Sequence, residues 1–135
     1  MLARAKLSNC PMSARKMRLV ADIIRGKDAD AALDILKFTR KEAAEWLEKL
    51  LLSAVNNWEQ KTAGEDPDEY ELYIKEILVN QGPQLKRIRP VPFGRAHRIR
   101  KHTCHVKIVM DNRVYLPGEE EEEVDVDEEI VQTEG

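Results

Sequence analysis

The spacing of hydrophobic residues changes from segment to segment along this chain, and each change marks an element. From Ala3 to Ser8 the pattern alternates, with Ala3, Ala5 and Leu7 on one side and Arg4, Lys6 and Ser8 on the other. A period of two is the mark of a half-buried strand, here with a basic outer face. Pro11 ends it, and Ser13 is placed to cap a helix that runs to Arg25 and stops at Gly26. On that helix Met17, Val20, Ala21 and Ile24 share a face, while Arg15, Arg18, Asp22 and Arg25 share another, flanked by Lys16. Asp28 or Asp30 caps a shorter second helix reaching about Phe38, with Leu33, Ile35 and Leu36 as its apolar content. A third helix, from about Lys41 to Lys61, carries a stripe of Ala43, Leu47, Leu50, Leu51, Ala54 and Trp58 and is the main core donor.

The period then returns to two. Residues 63–68, Ala-Gly-Glu-Asp-Pro-Asp, read as a loop. Tyr70 to Asn80 reads as a strand with Leu72 and Ile74 on one face. The alternation slips at Glu76 and resumes at Ile77 and Val79, as a bulge requires. Val106, Ile108 and Met110 alternate in a returning strand. The expected fold is α+β: three helices on a small antiparallel three-stranded sheet, with a long basic β-hairpin extending from it.

Charge singles out that extension. Asn80 to Met110 holds eight Lys/Arg, three His and no Asp or Glu, in a chain whose net charge is −3. Residues 1–27 carry +6, residues 28–79 carry −7, and residues 111–135 carry −10, so the acidic total hides a basic surface. A run of like charge repels itself unless water or a polyanion lies against it. Gly82-Pro83 opens the run, and Pro90, Pro92 and Gly94 place a turn around Val91 to Gly94. Each arm is then about 11 residues, or roughly 36 Å at strand rise. An isolated two-stranded hairpin is marginal in water, so the segment calls for a nucleic acid to complete it.

Other chemistries find less support. Two cysteines, Cys10 and Cys104, suit a reduced cytosolic protein better than a disulfide scaffold. No apolar run approaches the ~18–20 residues of a membrane span, and Arg4 and Lys6 interrupt any signal-like core. The reading is a cytoplasmic protein with no membrane partner. His97, His102, Cys104 and His105 do not match the paired spacing of zinc ligands, since His102 and Cys104 would share a strand face opposite His105. No catalytic array stands out, so no enzyme activity, metal or cofactor is expected.

The run from Met12 to Lys27, MSARKMRLVADIIRGK, resembles the first helix of the family of bacterial large-subunit ribosomal protein number twenty-two. Similar to the same family are Ala31–Leu36, Leu50–Asn57, Gly82-Pro83-x-Leu85-Lys86-Arg87, Gly94-Arg95-Ala96 and Thr103-x-His105, in order over about residues 3–113. The resemblance implies a structural constituent of the large ribosomal subunit that binds its ribosomal RNA and supports assembly. It implies a globular body among neighbouring proteins at the polypeptide exit, and a hairpin threaded through RNA to line the nascent-peptide tunnel, near where macrolides bind. Matched to basic family positions are Arg15, Lys16, Arg18, Arg25 and Lys27 on the first helix, and Lys86, Arg87, Arg95, Arg98 and Lys101 on the hairpin.

Arg4, Lys6, Arg89, Arg100 and His105 complete the expected RNA-binding set. Arg87, Ile88, Arg89, Pro90, Val91, Pro92, Phe93 and Gly94 form the expected tunnel-lining tip. The phosphate-binding role rests on charge and on the bidentate fork of arginine. Gly82 and Gly94 are expected to allow close backbone approach or positive φ at the bends. The tip departs from the family pattern: Pro90-Val-Pro-Phe-Gly-Arg-Ala96 has Val91 where Arg is common, and Arg89 is added two residues earlier. Phe93 either stacks on a base or packs against Pro92. Residues 1–113 are expected to form one domain, with the hairpin at about 80–106 and no homo-oligomer. Residues 114–135 read as an acidic, disordered tail. A rival reading is a free-standing RNA chaperone, with that tail as an autoinhibitory mimic of nucleic acid.

Overall fold

The computed structural model describes residues 1–116. In chain order it contains β1 (Ala3–Cys10), α1 (Ala14–Ile24), α2 (Ala29–Phe38), α3 (Glu42–Lys61), β2 (Leu72–Gln81), β3 (Leu85–Val91), β4 (Arg95–Lys101) and β5 (Cys104–Asn112). The α+β architecture expected from the pattern is the one found. β1, β5 and β2 form an antiparallel sheet in that order, and β3 and β4 form a separate two-stranded ribbon. The acidic run from Glu119 onward, expected to be disordered, lies outside the described residues. Leu116, placed by expectation in that tail, packs against the core.

The helices cover one face of the sheet. Met17, Val20, Ala21 and Ile24 of α1, Leu47, Leu51, Ala54 and Trp58 of α3, and Ile74, Ile77, Val106, Ile108 and Met110 of the sheet make the buried core. Ser13 caps α1 as the sequence predicts, its Oγ accepting from the Lys16 N–H. Asp28 occupies the N-cap of α2 but makes no capping bond with its side chain. That carboxylate instead pairs with Arg113 at 3.0 Å. The predicted slip in β2 is a register shift between Ile74 and Glu76, where two consecutive residues, Lys75 and Glu76, are exposed.

Both edges of the three-stranded sheet are covered by helix side chains, which limits edge-to-edge pairing. On the β1 edge, Asn57 Nδ2 donates to the Arg4 carbonyl at 2.9 Å and Lys61 Nζ to the Leu2 carbonyl at 2.7 Å. On the β2 edge, Arg18 donates through Nε and Nη2 to the Val79 carbonyl at 3.3 and 2.9 Å. Arg25 Nη2 donates to the Ile77 carbonyl at 3.1 Å. The Ile74 N–H completes that edge by donating to the Lys27 carbonyl.

Candidate nucleic-acid interface

The β3–β4 ribbon carries its charge on both faces. In an antiparallel pair, directly opposed residues share a face and successive pairs alternate. One face holds the pairs Leu85/Lys101, Arg87/Ile99, Arg89/His97 and Val91/Arg95; the other holds Lys86/Arg100, Ile88/Arg98 and Pro90/Ala96. Each face therefore presents at least three permanent cations. Lys86 and Arg100 are like charges set directly opposite each other, which is destabilising without an intervening anion.

Little protein covers this ribbon. Every residue from Leu85 to Lys101 is exposed except Val91 and Ile99, which are half-buried. Ile88 is 73% exposed, so the face holding Lys86 and Arg98 has no apolar cover. Among the described residues no carboxylate pairs with a hairpin cation. The one polar bond recorded for their side chains is Arg87 Nη1 to the neighbouring Lys86 carbonyl, 2.9 Å.

The turn has a specific backbone. Phe93 and Gly94 both adopt positive φ, +69° and +68°. Gly94 takes that region without cost, as anticipated; Phe93 does not, because its Cβ crowds the following carbonyl. Phe93 is 97% exposed, so its ring does not pack against Pro92. That disposes of one of the two alternatives and leaves an aromatic face open at the tip.

Gly82 acts at the other end of the arm by close approach, not by positive φ. It donates its N–H to the Thr103 carbonyl at 2.9 Å, and Thr103 Oγ1 donates to the Pro83 carbonyl. A Cβ on Gly82 would lie 2.5 Å from Thr103 Oγ1. This joint separates the sheet from the ribbon and fixes where the hairpin leaves the body.

The remaining expected site residues divide into two groups. Arg15, Lys16 and Lys27 are exposed, and no side-chain partner is recorded for them among the described residues. Arg4 and Lys6 are exposed on the sheet face that no helix covers. Arg18 and Arg25, read from sequence as a phosphate-facing pair, spend donors on the β2 edge, and Arg25 also pairs with Asp22. His105 is half-buried; its Nδ1 accepts from the Asn9 N–H at 3.0 Å, leaving only Nε2 to meet a ligand. The structure does not gather the four His/Cys candidates into one cluster. His97 lies on the ribbon, His102 at its foot, Cys104 in the core, and His105 on the opposite sheet face.

Cys104 pairs instead with Cys10 across β1 and β5. Both thiols are free and buried, and burial pushes Cys10 up to about 12, assisted by its neighbour. Such a thiol is a packing element and not a nucleophile. No helix of the described residues is long and apolar enough to cross a membrane.

Comparison with known proteins gives this geometry a family. The sequence pattern of ribosomal protein L22p/L17e matches residues 5–111, which include all three helices, the whole hairpin and the sheet except the outermost residues of β1 and β5. This chain belongs to the L22p/L17e ribosomal protein family. It is 60% identical to the large ribosomal subunit protein uL22 of Flavobacterium johnsoniae over 109 residues, covering 81% of this chain and 80% of that one. The corresponding proteins of Christiangramia forsetii and Bacteroides fragilis are 56% and 52% identical over 109 residues, covering 81% of this chain and 81% and 79% of theirs. These relatives are ribosomal proteins rather than enzymes, as the lack of a catalytic array in the sequence suggested.

Sequence reasoning missed the Thr103 contact at the joint and the edge-covering roles of Asn57, Lys61, Arg18 and Arg25. A side chain that reaches a backbone carbonyl 50 or more residues away has no periodic signature. Gly82-Pro83 did signal the joint, but not its partner.

Proposed function

We propose that this L22p/L17e chain is a structural constituent of the large subunit of the cytoplasmic ribosome. In this reading it binds large-subunit ribosomal RNA and supports assembly of the subunit, with its hairpin inserted between RNA segments. The observation that carries the reading is the two-faced distribution of cations on an exposed ribbon. A basic patch on one face suits RNA lying on a protein surface. Cations on both faces, with like charges opposed and no protein layer over either, suit RNA on both sides. Arg87, Arg89, Arg95, Arg98 and Arg100 supply planar forks for phosphate oxygens; Lys86 and Lys101 add point charges. Arg15, Lys16 and Lys27 extend the contact onto α1, with Arg18 and Arg25 contributing the donors that the β2 edge leaves free.

At its end the hairpin offers Pro90, Val91, Pro92, Phe93 and Gly94, and the family resemblance supports placing them in the wall of the nascent-peptide tunnel. The nascent polypeptide and the proteins around the tunnel exit are then its neighbours. The protein acts by position and charge, not by catalysis.

Sucrose-gradient sedimentation of a tagged chain from cell lysate tests this, before and after a high-salt wash. Co-migration with the large subunit that survives the wash is the expected result. Loss into the free pool at modest salt would overturn the proposal in favour of an exchangeable RNA chaperone.

A further inference from the structure

The helix-free face of the β1-β5-β2 sheet holds cations with no acid of their own. Alternation turns Ala3, Ala5, Val106 and Ile108 toward the helices, so Arg4, Lys6 and Lys107 project from the opposite face. Lys6 stands directly opposite Lys107 in the register, with Leu78 of β2 on the other side of Lys107. In the neighbouring row Arg4 faces Val109, and Glu76 lies beyond Val109. Asp111, further along, is already shared between the N-terminal ammonium at 3.3 Å and Lys75 at 3.9 Å. Among the described residues Arg4, Lys6 and Lys107 enter no ion pair. Opposed like charges destabilise a sheet face unless an anion lies between them.

The same chain carries such an anion. Residues 119–129 hold nine acids and no base. The chain leaves the sheet at the end remote from the hairpin, where the Arg113 and Val114 N–H groups donate to the Tyr70 carbonyl beside the Leu72/Asn112 pair. Reach then decides which cations the acids can meet. Lys107 is five residues back from Asn112 along β5, about 17 Å at strand rise, and Arg4, opposite Val109, is about 10 Å back. Glu119 to Glu123 lie three to seven residues past Leu116, roughly 10–23 Å of extended chain. The hairpin tip is further off. Arg95 is 17 residues from Asn112, about 56 Å along the strands, whereas Glu129 is 13 residues past Leu116, about 43 Å at full stretch. The sheet-face cations fall within range of the acidic block and those at the tip fall outside it. Val124 and Val126 also alternate with Asp125 and Asp127, a pattern that matches Leu78, 40% exposed, set beside Lys107.

We infer that residues 119–129 are an intramolecular ligand of this sheet face, pairing with Arg4, Lys6 and Lys107 in the free protein and displaced when RNA arrives. Surface ion pairs are weak singly, but a tether makes the contact intramolecular and lets them act together. The displacement half of the inference rests on the RNA-binding reading above and adds to it a competitor built into the chain. The consequence is an order of events: the hairpin tip, beyond reach of the acids, stays open for first contact, and the body binds only RNA that can displace the segment.

The first test is carbodiimide coupling of the unmutated full chain, which joins a lysine amine to a carboxylate in contact with it, followed by peptide mass spectrometry of the monomer band. Lys6 or Lys107 should be linked to carboxylates within residues 119–129. The yield should fall as sodium chloride rises, because salt screens the pairs, and fall again when extracted large-subunit ribosomal RNA is added. Links confined to Lys86, Lys101 or other lysines, links found only in a dimer band, or none at all would overturn the inference.

The second test is filter binding of the same RNA to the full chain and to E119Q/E120Q/E121Q/E122Q/E123Q, each with and without Lys6→Gln/Lys107→Gln. Neutralising the five glutamates should strengthen binding several-fold at low salt, and most of that gain should vanish in the Lys6→Gln/Lys107→Gln background. A gain of equal size in both backgrounds would mean general repulsion of RNA by the acids and would overturn the inference, as would no gain in either. Failure of all four proteins to bind the RNA would instead defeat the RNA-binding reading and the displacement with it, while the cross-links still decide whether the segment occupies the face.

Discussion

Replacing Gly82 with alanine should destabilise the body through one contact. The new Cβ would sit 2.5 Å from Thr103 Oγ1 and 3.3 Å from both the Thr103 carbonyl carbon and His105 Nε2. The first of these is about 1 Å inside ordinary van der Waals contact. Thr103 cannot yield cheaply, because it is buried and its hydroxyl holds the Pro83 carbonyl. Overpacking at such a site costs about 1–3 kcal/mol, and the lost hydrogen bond about 1 kcal/mol. Gly82 lacks a positive φ, so alanine restricts the unfolded chain and returns about 0.4–1 kcal/mol. The net loss is about 2 kcal/mol, or a melting-temperature fall of roughly 6–10 °C.

Urea titration followed by tryptophan fluorescence measures it, with Thr103→Ala as the second arm of a cycle. Thr103→Ala alone loses the Pro83 bond. Combined with Gly82→Ala it also removes the clash, and the bond is lost only once, so the double variant should cost about 2–3 kcal/mol less than the sum of the singles. Additive losses, or a neutral Gly82→Ala, would refute the assignment of this joint as a close-packed hinge point.

Four other outcomes follow from single sites. Trp58 is fully buried and its Nε1–H has no acceptor among the described residues. Trp58→Phe should therefore stay within about 1 kcal/mol of wild type, because it removes an unpaired donor, whereas Trp58→Ala costs about 3–5 kcal/mol; equal losses in urea titrations would contradict this. Asp30 has its carboxyl pushed up from 3.8, first by the hydrogen bond to Asp68 and then by burial and nearby carboxylates. The fold thus disfavours the Asp30 carboxylate, so Asp30→Asn should raise the melting temperature at pH values above its raised pKa, and the gain should vanish below pH 3.8, where this carboxyl is protonated in the folded and unfolded chain alike. Cys10 is raised from 9.0 to about 12 by burial; above pH 9 the unfolded thiol releases its proton before the folded one does. The stability it contributes is full below pH 9 and is lost as the pH climbs to 12, a fall that thermal melts of Cys10→Ala should show as smaller. Phe93→Gly should leave the melting temperature unchanged or higher by relieving positive φ, yet lower hairpin protection by RNA in hydroxyl-radical footprinting; unaltered protection would remove any role for the exposed ring.

The parts of this fold that were legible in the sequence are those written in short-range period. Ala3 to Leu7, Met17 to Ile24, and Leu47 to Trp58 announce their buried faces within a few residues, and even the bulge at Lys75 and Glu76 shows as a slipped alternation. The hairpin was legible for a different reason: a carboxylate-free run between Gly82-Pro83 and the returning strand is a statement about charge that needs no structure. What the sequence withheld were bonds whose partners are fixed only by packing. Arg15 and Arg18 look alike in the α1 pattern, yet α1 lies along β2 with Arg18 over the Val79 carbonyl, while no side-chain bond is recorded for Arg15.

That distinction changes what mutation of the basic residues would mean. A guanidinium that caps a sheet edge contributes to the folded body as well as to any RNA contact, so loss of ribosome association in Arg18→Ala or Arg25→Ala would not by itself locate RNA. Lys16, Lys86 and Arg98 make no such internal bond among the described residues, and their replacement reports on the partner alone. Charge density identifies a nucleic-acid-binding chain. Only the hydrogen-bond assignment separates the cations that hold the protein together from those left for the RNA.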